Sequence, residues 1–107
     1  MNHYLTVDFG DDLAYDFRVT AQDAARIGPE AAQQWVEAEF LRAGFTPVTG
    51  MDPPQLAADM ILKIARVMGP EPFRARSDWA QQYALHVCVL VDRANVTVDV
   101  DNATVGF

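Results

Sequence analysis

Alternation of apolar and polar residues marks two segments near the start of the chain as strands. In Tyr4–Phe9 the apolar side chains Leu5, Val7 and Phe9 occupy every second position, as in a strand with one buried face. Leu13–Val19 repeats the pattern, and the glycine and two aspartates between the segments have the composition of a tight turn. The pattern therefore predicts a β-hairpin with one apolar face.

Two segments in the middle of the chain follow the helical period. Pro29–Ala43 begins with a proline, which the first turn of a helix tolerates, and precedes Gly44, a residue type that commonly ends helices. Pro54–Met68 is the second predicted helix. A shorter helical turn is predicted from Thr20, a capping residue, to Ile27.

The second predicted helix is unusually apolar. Between Leu56 and Met68 its polar residues are Asp59, Lys63 and Arg66, which share one narrow stripe. A helix that is apolar around most of its circumference is normally buried on several sides. Packing against the first helix and the sheet is one explanation. Because a small domain covers such a helix only with difficulty, we expect a homodimer formed through it.

The C-terminal part predicts a second hairpin. Tyr83–Val91 is an apolar run interpreted as a strand, and Val96–Val100 is the next strand, with a turn at 92–95 between them. Asn102–Phe107 is expected to add a short edge strand. Gly69–Asp78 contains two prolines and is interpreted as a long irregular loop.

These elements predict the fold class. We expect a single α+β domain over residues 1–107, a two-layer sandwich with the order ββααββ. A four-stranded, mainly antiparallel sheet should carry both helices on one face. The expected core is Leu5, Val7, Phe17, Trp35, Phe40, Leu56, Met60, Ile64, Leu85, Val87, Val89 and Val98. The outer sheet face should carry polar and charged side chains, namely Thr6, Asp8, Asp16, Arg18, His86, Thr97 and Asp99.

Composition narrows the functional classes. The 107 residues carry a formal charge of −7, which repels phosphate backbones and anionic lipid and argues against binding to nucleic acid or membranes. The N-terminus lacks the pattern of a secretory signal, and no apolar run is long enough to span a bilayer. We expect a soluble, cytoplasmic protein. Seven arginines against one lysine suggest a GC-rich, bacterial coding sequence.

One group of residues has the chemistry of a catalytic site. On a strand, His86 and Cys88 would share a face, and Asp99 on the neighbouring strand could stand on the same side. These are the residue types of a thiol nucleophile with its base and orienting group, and also of a soft-metal site. Since a free cysteine usually serves as a small buried hydrophobe, we favour a structural role and expect no metal and no cofactor.

A second group suggests a binding surface. Phe73, Arg74, Arg76 and Trp79 form a local basic and aromatic patch on an acidic chain, and arginine and aromatic residues are enriched at binding hot spots. We expect the patch to contact an acidic partner surface or an anionic ligand. Alternatively, the arginines compensate the nearby carboxylates of the same segment.

Motifs that carry a reaction are missing from the sequence. It contains no glycine-rich phosphate loop, no nucleophile elbow, no zinc-protease motif and no paired-cysteine zinc spacing. We therefore expect a non-enzymatic protein–protein interaction module, such as an adaptor, a chaperone or an immunity-type inhibitor. The alternative is a small enzyme or ligand-binding protein that uses the open sheet face with His86, Cys88 and Asp99.

Overall fold

The described residues form a sheet of four strands and a layer of five helices. The structure, a computed structural model, describes residues 2–46, 50, 52–91 and 95–106. The strands are β1 (Asn2–Asp8), β2 (Ala14–Thr20), β3 (Asn95–Asp99) and β4 (Thr104–Gly106). The helices are α1 (Ala21–Ala25), α2 (Pro29–Arg42), α3 (Pro53–Met68), α4 (Pro70–Ala75) and α5 (Ser77–Val91). The predicted turn at 92–95 lies outside the described residues except for its last one.

The sheet is mixed and has the strand order β2-β1-β3-β4. Strand β1 pairs antiparallel with β2 and parallel with β3, and β3 pairs antiparallel with β4. The predicted α+β class is confirmed, but the mainly antiparallel sheet is wrong at its central pair. All five helices lie between β2 and β3, and a connection of that length allows the parallel crossover.

The N-terminal hairpin is confirmed. Burial alternates along both strands, with Leu5 and Val7 fully buried. The turn is closed by the Phe9 N–H, which donates to the Leu13 carbonyl at 2.8 Å. Its aspartates have positive φ angles, a conformation that aspartate adopts more readily than most residues. Leu13 continues the inward apolar pattern of β2 but remains 44% exposed.

The strand predicted at Tyr83–Val91 is wrong, whereas those predicted at Val96–Val100 and Asn102–Phe107 correspond to β3 and β4. Tyr83–Val91 belongs to α5, and most of the predicted loop Gly69–Asp78 forms α4 and the start of α5. The alternation of apolar and polar residues could not distinguish a strand from a helix here, because almost every position from 83 to 91 is apolar. The helix is revealed by a stripe over four turns that is buried at Ala80, Tyr83, Ala84, Val87, Cys88 and Val91.

Helix α5 supplies the cover that α3 needs. It packs against both α2 and α3, and the apolar residues of α3 from Leu56 to Ala65 are all buried. The unpaired apolar surface on which the homodimer prediction rested is therefore covered by the chain itself. Val67, in the last turn of α3, remains 73% exposed.

The two faces of the sheet differ sharply. The inner face, under the helices, contributes Leu5, Val7, Phe17, Val19, Val96 and Val98 to the core. The outer face is polar, as expected, and Thr6 donates to Asp16 across β1 and β2 at 2.6 Å. His86 is not on this face, since its segment is helical. Three expected core residues, Trp35, Leu85 and Val89, are only half-buried.

Candidate functional site

The four residues of the predicted basic and aromatic patch do not form one surface. Phe73 is 1% exposed and lies in the core, where its ring meets those of Phe9 and Phe17 edge to face at 5.5 and 5.9 Å. It holds α4 onto the inner sheet face. Phe73 is therefore a packing residue, and the two arginines that follow it have different surroundings.

Arg76 and Trp79 belong to a seam between α2 and α5. The Arg76 guanidinium lies 4.7 Å from the centroid of the Trp79 ring, within the range of a cation–π contact. The indole N–H of Trp79 donates to the Glu39 carboxylate at 3.0 Å, and Arg42 donates to its other oxygen. Glu39 is only 8% exposed. Burial of this carboxylate is thus compensated by two donors.

The seam continues along α5 through Tyr83 and His86. The His86 ring stacks on Trp35 with centroids 4.2 Å apart, and its Nδ1–H donates to the Gln82 carbonyl at 2.7 Å. The Tyr83 hydroxyl is buried and has no hydrogen-bond partner among the described residues. Burial, and secondly the Glu39 carboxylate, raise the pKa of the Tyr83 phenol far above its ordinary value. The phenol therefore stays protonated and serves packing.

Arg74 faces a different feature, an open groove beside the first hairpin. The start of β2 contributes Leu13 and Tyr15, and α4 contributes Pro70, Glu71, Pro72 and Arg74. The groove has a volume of about 430 Å³. Its floor is held in place, because the Tyr15 ring lies against the rings of Phe9 and Phe73 at 5.8 and 6.1 Å. We call these six residues the hairpin groove.

The other candidate group, His86, Cys88 and Asp99, is not assembled. On α5, His86 packs against Trp35 while Cys88 lines a separate cleft together with residues of α1. Asp99 lies on β3 next to the inward-facing Val98, so strand alternation directs it to the outer sheet face, away from the helices. The geometry therefore separates the thiol from His86 and Asp99, the base and the orienting carboxylate that the sequence suggested.

The electrostatics of these groups agree with structural roles. Burial raises the pKa of the Cys88 thiol to about 11, opposite to the direction that activates a nucleophile. Hydrogen bonds from the Asn102 side chain and backbone lower the pKa of the Asp99 carboxyl. Within the described part of the chain, no three His, Cys, Asp or Glu side chains lie close enough to hold a metal ion.

Negative charge concentrates at the end of the sheet where the hairpin groove opens. Because β1 and β3 are parallel, their carboxyl ends meet, and Asp8 lies opposite Asp99. A Cβ added at Gly10 would lie 3.2 Å from Asp101, so the two strand-end turns touch. We call this end the acidic corner. Among the described residues, its carboxylates are Asp8 and Asp99 on the outer sheet face and Asp11, Asp12 and Asp101 in the turns, and the adjoining groove adds Glu71 and the cation Arg74.

Sequence reasoning found one member of the hairpin groove, Arg74, and missed the others. Leu13 continues the inward apolar pattern of the strand Leu13–Val19, so it did not stand out as a surface residue. The available signal was its position directly after a turn of two aspartates, where a strand leaves the core. Pro70 and Pro72 were assigned to a loop, although a proline after a glycine is a common helix start.

Comparisons with known proteins found no match among models of protein families, among curated proteins or among solved structures. In the part of the chain that the structure describes, no helix combines the length and the hydrophobicity needed to cross a membrane.

Proposed function

We propose that this chain is a non-enzymatic protein–protein interaction module that docks a segment of its partner in the hairpin groove. The observation that carries the proposal is Leu13. A leucine that is 44% exposed forms one wall of an apolar groove beside Tyr15, Pro70 and Pro72. Apolar surface grouped in a concave site and edged by charge is typical of docking sites, whereas single exposed apolar residues are common.

The groove is also prepared for binding. Proline fixes its own φ angle, so Pro70 and Pro72 lose little freedom when a partner arrives. Tyr15 is held against the core by its ring contacts with Phe9 and Phe73. Surfaces that need little ordering retain more of their contact energy as affinity.

Two other functions receive less support. An enzyme using His86, Cys88 and Asp99 would need these side chains to meet, and they have separate surroundings. A homodimer through α3 would need apolar surface that α5 already covers. Sedimentation from micromolar to near-millimolar protein would test the dimer directly, and a monomer throughout would exclude it.

Partner capture from the native cell tests the proposed function, with variants that differ only in location. Leu13→Asp places a charge in the groove and should weaken capture of the partner by more than about 1 kcal/mol, or roughly fivefold, as for a hot-spot residue. Val67→Asp is the matched control, because Val67 is an exposed apolar residue at the end of α3.

Both variants must show the circular dichroism and the unfolding midpoint of the unchanged protein. The proposal is supported if the native protein and Val67→Asp retain the same partner and Leu13→Asp loses it. It fails if Leu13→Asp captures that partner as well as Val67→Asp does.

A further inference from the structure

We infer that the partner segment in the hairpin groove is basic, with lysine or arginine residues on both sides of one large apolar side chain. The inference rests on the proposed function and adds the chemistry of the occupant. The expected charge of the partner is thereby reversed, because Arg74 and Arg76 had led to the expectation of an acidic partner or an anionic ligand.

The charged residues near the groove favour a basic partner segment. Three of the six carboxylates of the acidic corner adjoin the groove, whereas Asp8 and Asp99 lie on the outer face of the sheet. Asp11 and Asp12 are exposed and directly precede Leu13, and Glu71 lies within the groove itself. A cluster of this sign attracts a basic segment and repels an acidic one.

The separation of Arg74 from Arg76 disfavours an anionic occupant. An anionic occupant would need them to act together, as paired cations do in phosphate or carboxylate sites. Arg76 stacks on Trp79 in the seam between α2 and α5, while Arg74 lines the groove. A single guanidinium beside the three carboxylates of Asp11, Asp12 and Glu71 leaves the potential at the groove negative.

The apolar walls of the groove favour a partner segment with a large apolar side chain. Charge alone would favour any polycation, but Leu13, Tyr15, Pro70 and Pro72 offer a wall of leucine, aromatic and proline surface. A volume of about 430 Å³ accommodates one large side chain. The apolar residue of the segment should therefore enter the groove, and its basic neighbours should meet Asp11, Asp12 and Glu71.

Three synthetic peptides with blocked ends test the inference against the isotope-labelled protein by NMR titration. GKKWKKG has the apolar anchor and the basic flanks, GEEWEEG has the anchor with acidic flanks, and GKKGKKG has the flanks alone. We expect GKKWKKG to shift the resonances of Leu13 and Tyr15 and to bind at least about tenfold more tightly than either other peptide. Raising the salt from about 0.05 M to about 0.5 M should weaken it, because screening shortens the reach of the carboxylates.

Paired charge variants locate the effect. Asp11→Asn with Asp12→Asn removes two carboxylates beside the groove, and asparagine tolerates their positive φ angles. Glu30→Gln with Glu37→Gln removes two carboxylates from a separate polar cleft on α2, so the net charge changes equally. The first pair should weaken GKKWKKG at least about fivefold more than the second.

Each outcome has a distinct meaning. Tighter binding of GEEWEEG, equal binding of GKKGKKG, or equal effects of the two charge pairs would overturn the inference. If no peptide binds the groove while Leu13→Asp still abolishes partner capture, the basic-segment inference falls and the interaction function stands. If Leu13→Asp leaves partner capture unchanged, the function itself falls.

Discussion

Two regions of this protein are built from the same kinds of side chain and differ in what those side chains contact. The seam between α2 and α5 contains an arginine, aromatic rings and a carboxylate, and so does the hairpin groove. In the seam, Glu39 accepts from Trp79 and Arg42, and Arg76 lies on Trp79. In the groove, the apolar walls of Leu13 and Tyr15 face open space.

The comparison of the seam with the groove shows that a composition typical of binding hot spots does not identify a binding surface. Arginine and tryptophan are enriched at interfaces because they combine apolar area with hydrogen-bond donors. The same properties stabilise a helix–helix contact within a chain. Exposed apolar surface that has no cover within the chain is the better criterion, and here it selects Leu13 over Trp79.

The largest expected effect separates packing from binding within the predicted patch. Phe73→Ala removes a core ring that meets four other aromatic residues, and should lower the free energy of unfolding by about 3–5 kcal/mol. Arg74→Ala, one position along, should change it by less than about 0.5 kcal/mol. Urea unfolding measures both. Similar losses in the two variants would contradict the separation of the core from the groove.

The next effect tests whether the seam depends on its carboxylate. Glu39→Ala leaves the partly buried indole N–H of Trp79 without its carboxylate acceptor and should cost about 1–3 kcal/mol. Glu39→Gln keeps an acceptor oxygen and should cost less. Glu37→Gln, on an accessible face of the same helix, is the control. If Glu39→Ala is as stable as the control, the seam contributes nothing to folding.

A smaller effect of opposite sign is expected at Tyr83. Its hydroxyl is buried without a partner among the described residues, so Tyr83→Phe should leave stability unchanged or raise it by about 1 kcal/mol. Thermal unfolding at neutral pH measures the change. A clear loss of stability would mean that the hydroxyl is satisfied in solution.

Alkaline pH should weaken the fold through Cys88 and Tyr83. The pKa of each group is raised in the folded state, so the unfolded chain releases these protons first as pH rises. Below the ordinary pKa of a thiol the two states hold the same protons and the Cys88 contribution is constant. Stability should then fall between the ordinary value, 9.0, and the folded value of about 11.

Single and double variants identify which of the two groups causes the loss of stability at alkaline pH. Cys88→Ala and Tyr83→Phe should each flatten the decline measured by urea unfolding across this range, and the double variant should flatten it most. Tyr4→Phe is the control for the phenol, because Tyr4 is 42% exposed. A decline that persists unchanged in the double variant would exclude burial of these two groups as its cause.

The smallest effects compare the two arginines. Arg76→Ala removes a cation from the Trp79 ring and should cost about 0.5–1 kcal/mol of stability, while partner binding should be unchanged. Arg74→Ala should leave stability unchanged. The two variants, compared by unfolding and by partner capture, therefore distinguish an intramolecular arginine from a groove residue. Equal behaviour in both assays would remove that distinction.

The sequence correctly predicted the strands and helices whose hydrophobic pattern is compatible with only one type of secondary structure. The strands Tyr4–Phe9 and Leu13–Val19 alternate cleanly, and the first two long helices have proline starts. It failed at Tyr83–Val91, where uniform apolarity satisfies strand and helix alike. That one error removed a helix from the core, assigned His86 and Cys88 to a shared strand face, and left α3 apparently uncovered. The groove escaped prediction because it forms between β2 and α4, which are far apart in the chain.

The parallel pair at the centre of the sheet also constrains how the chain folds. Strand β1 gains its second neighbour only when β3, roughly 90 residues later, is available, so closing that loop costs about 4 kcal/mol of chain entropy. During synthesis the first hairpin leaves the ribosome with the inner edge of β1 unpaired, and unpaired edges recruit other strands. Protection of that edge requires β3, so the native sheet is complete only when β3 pairs with β1.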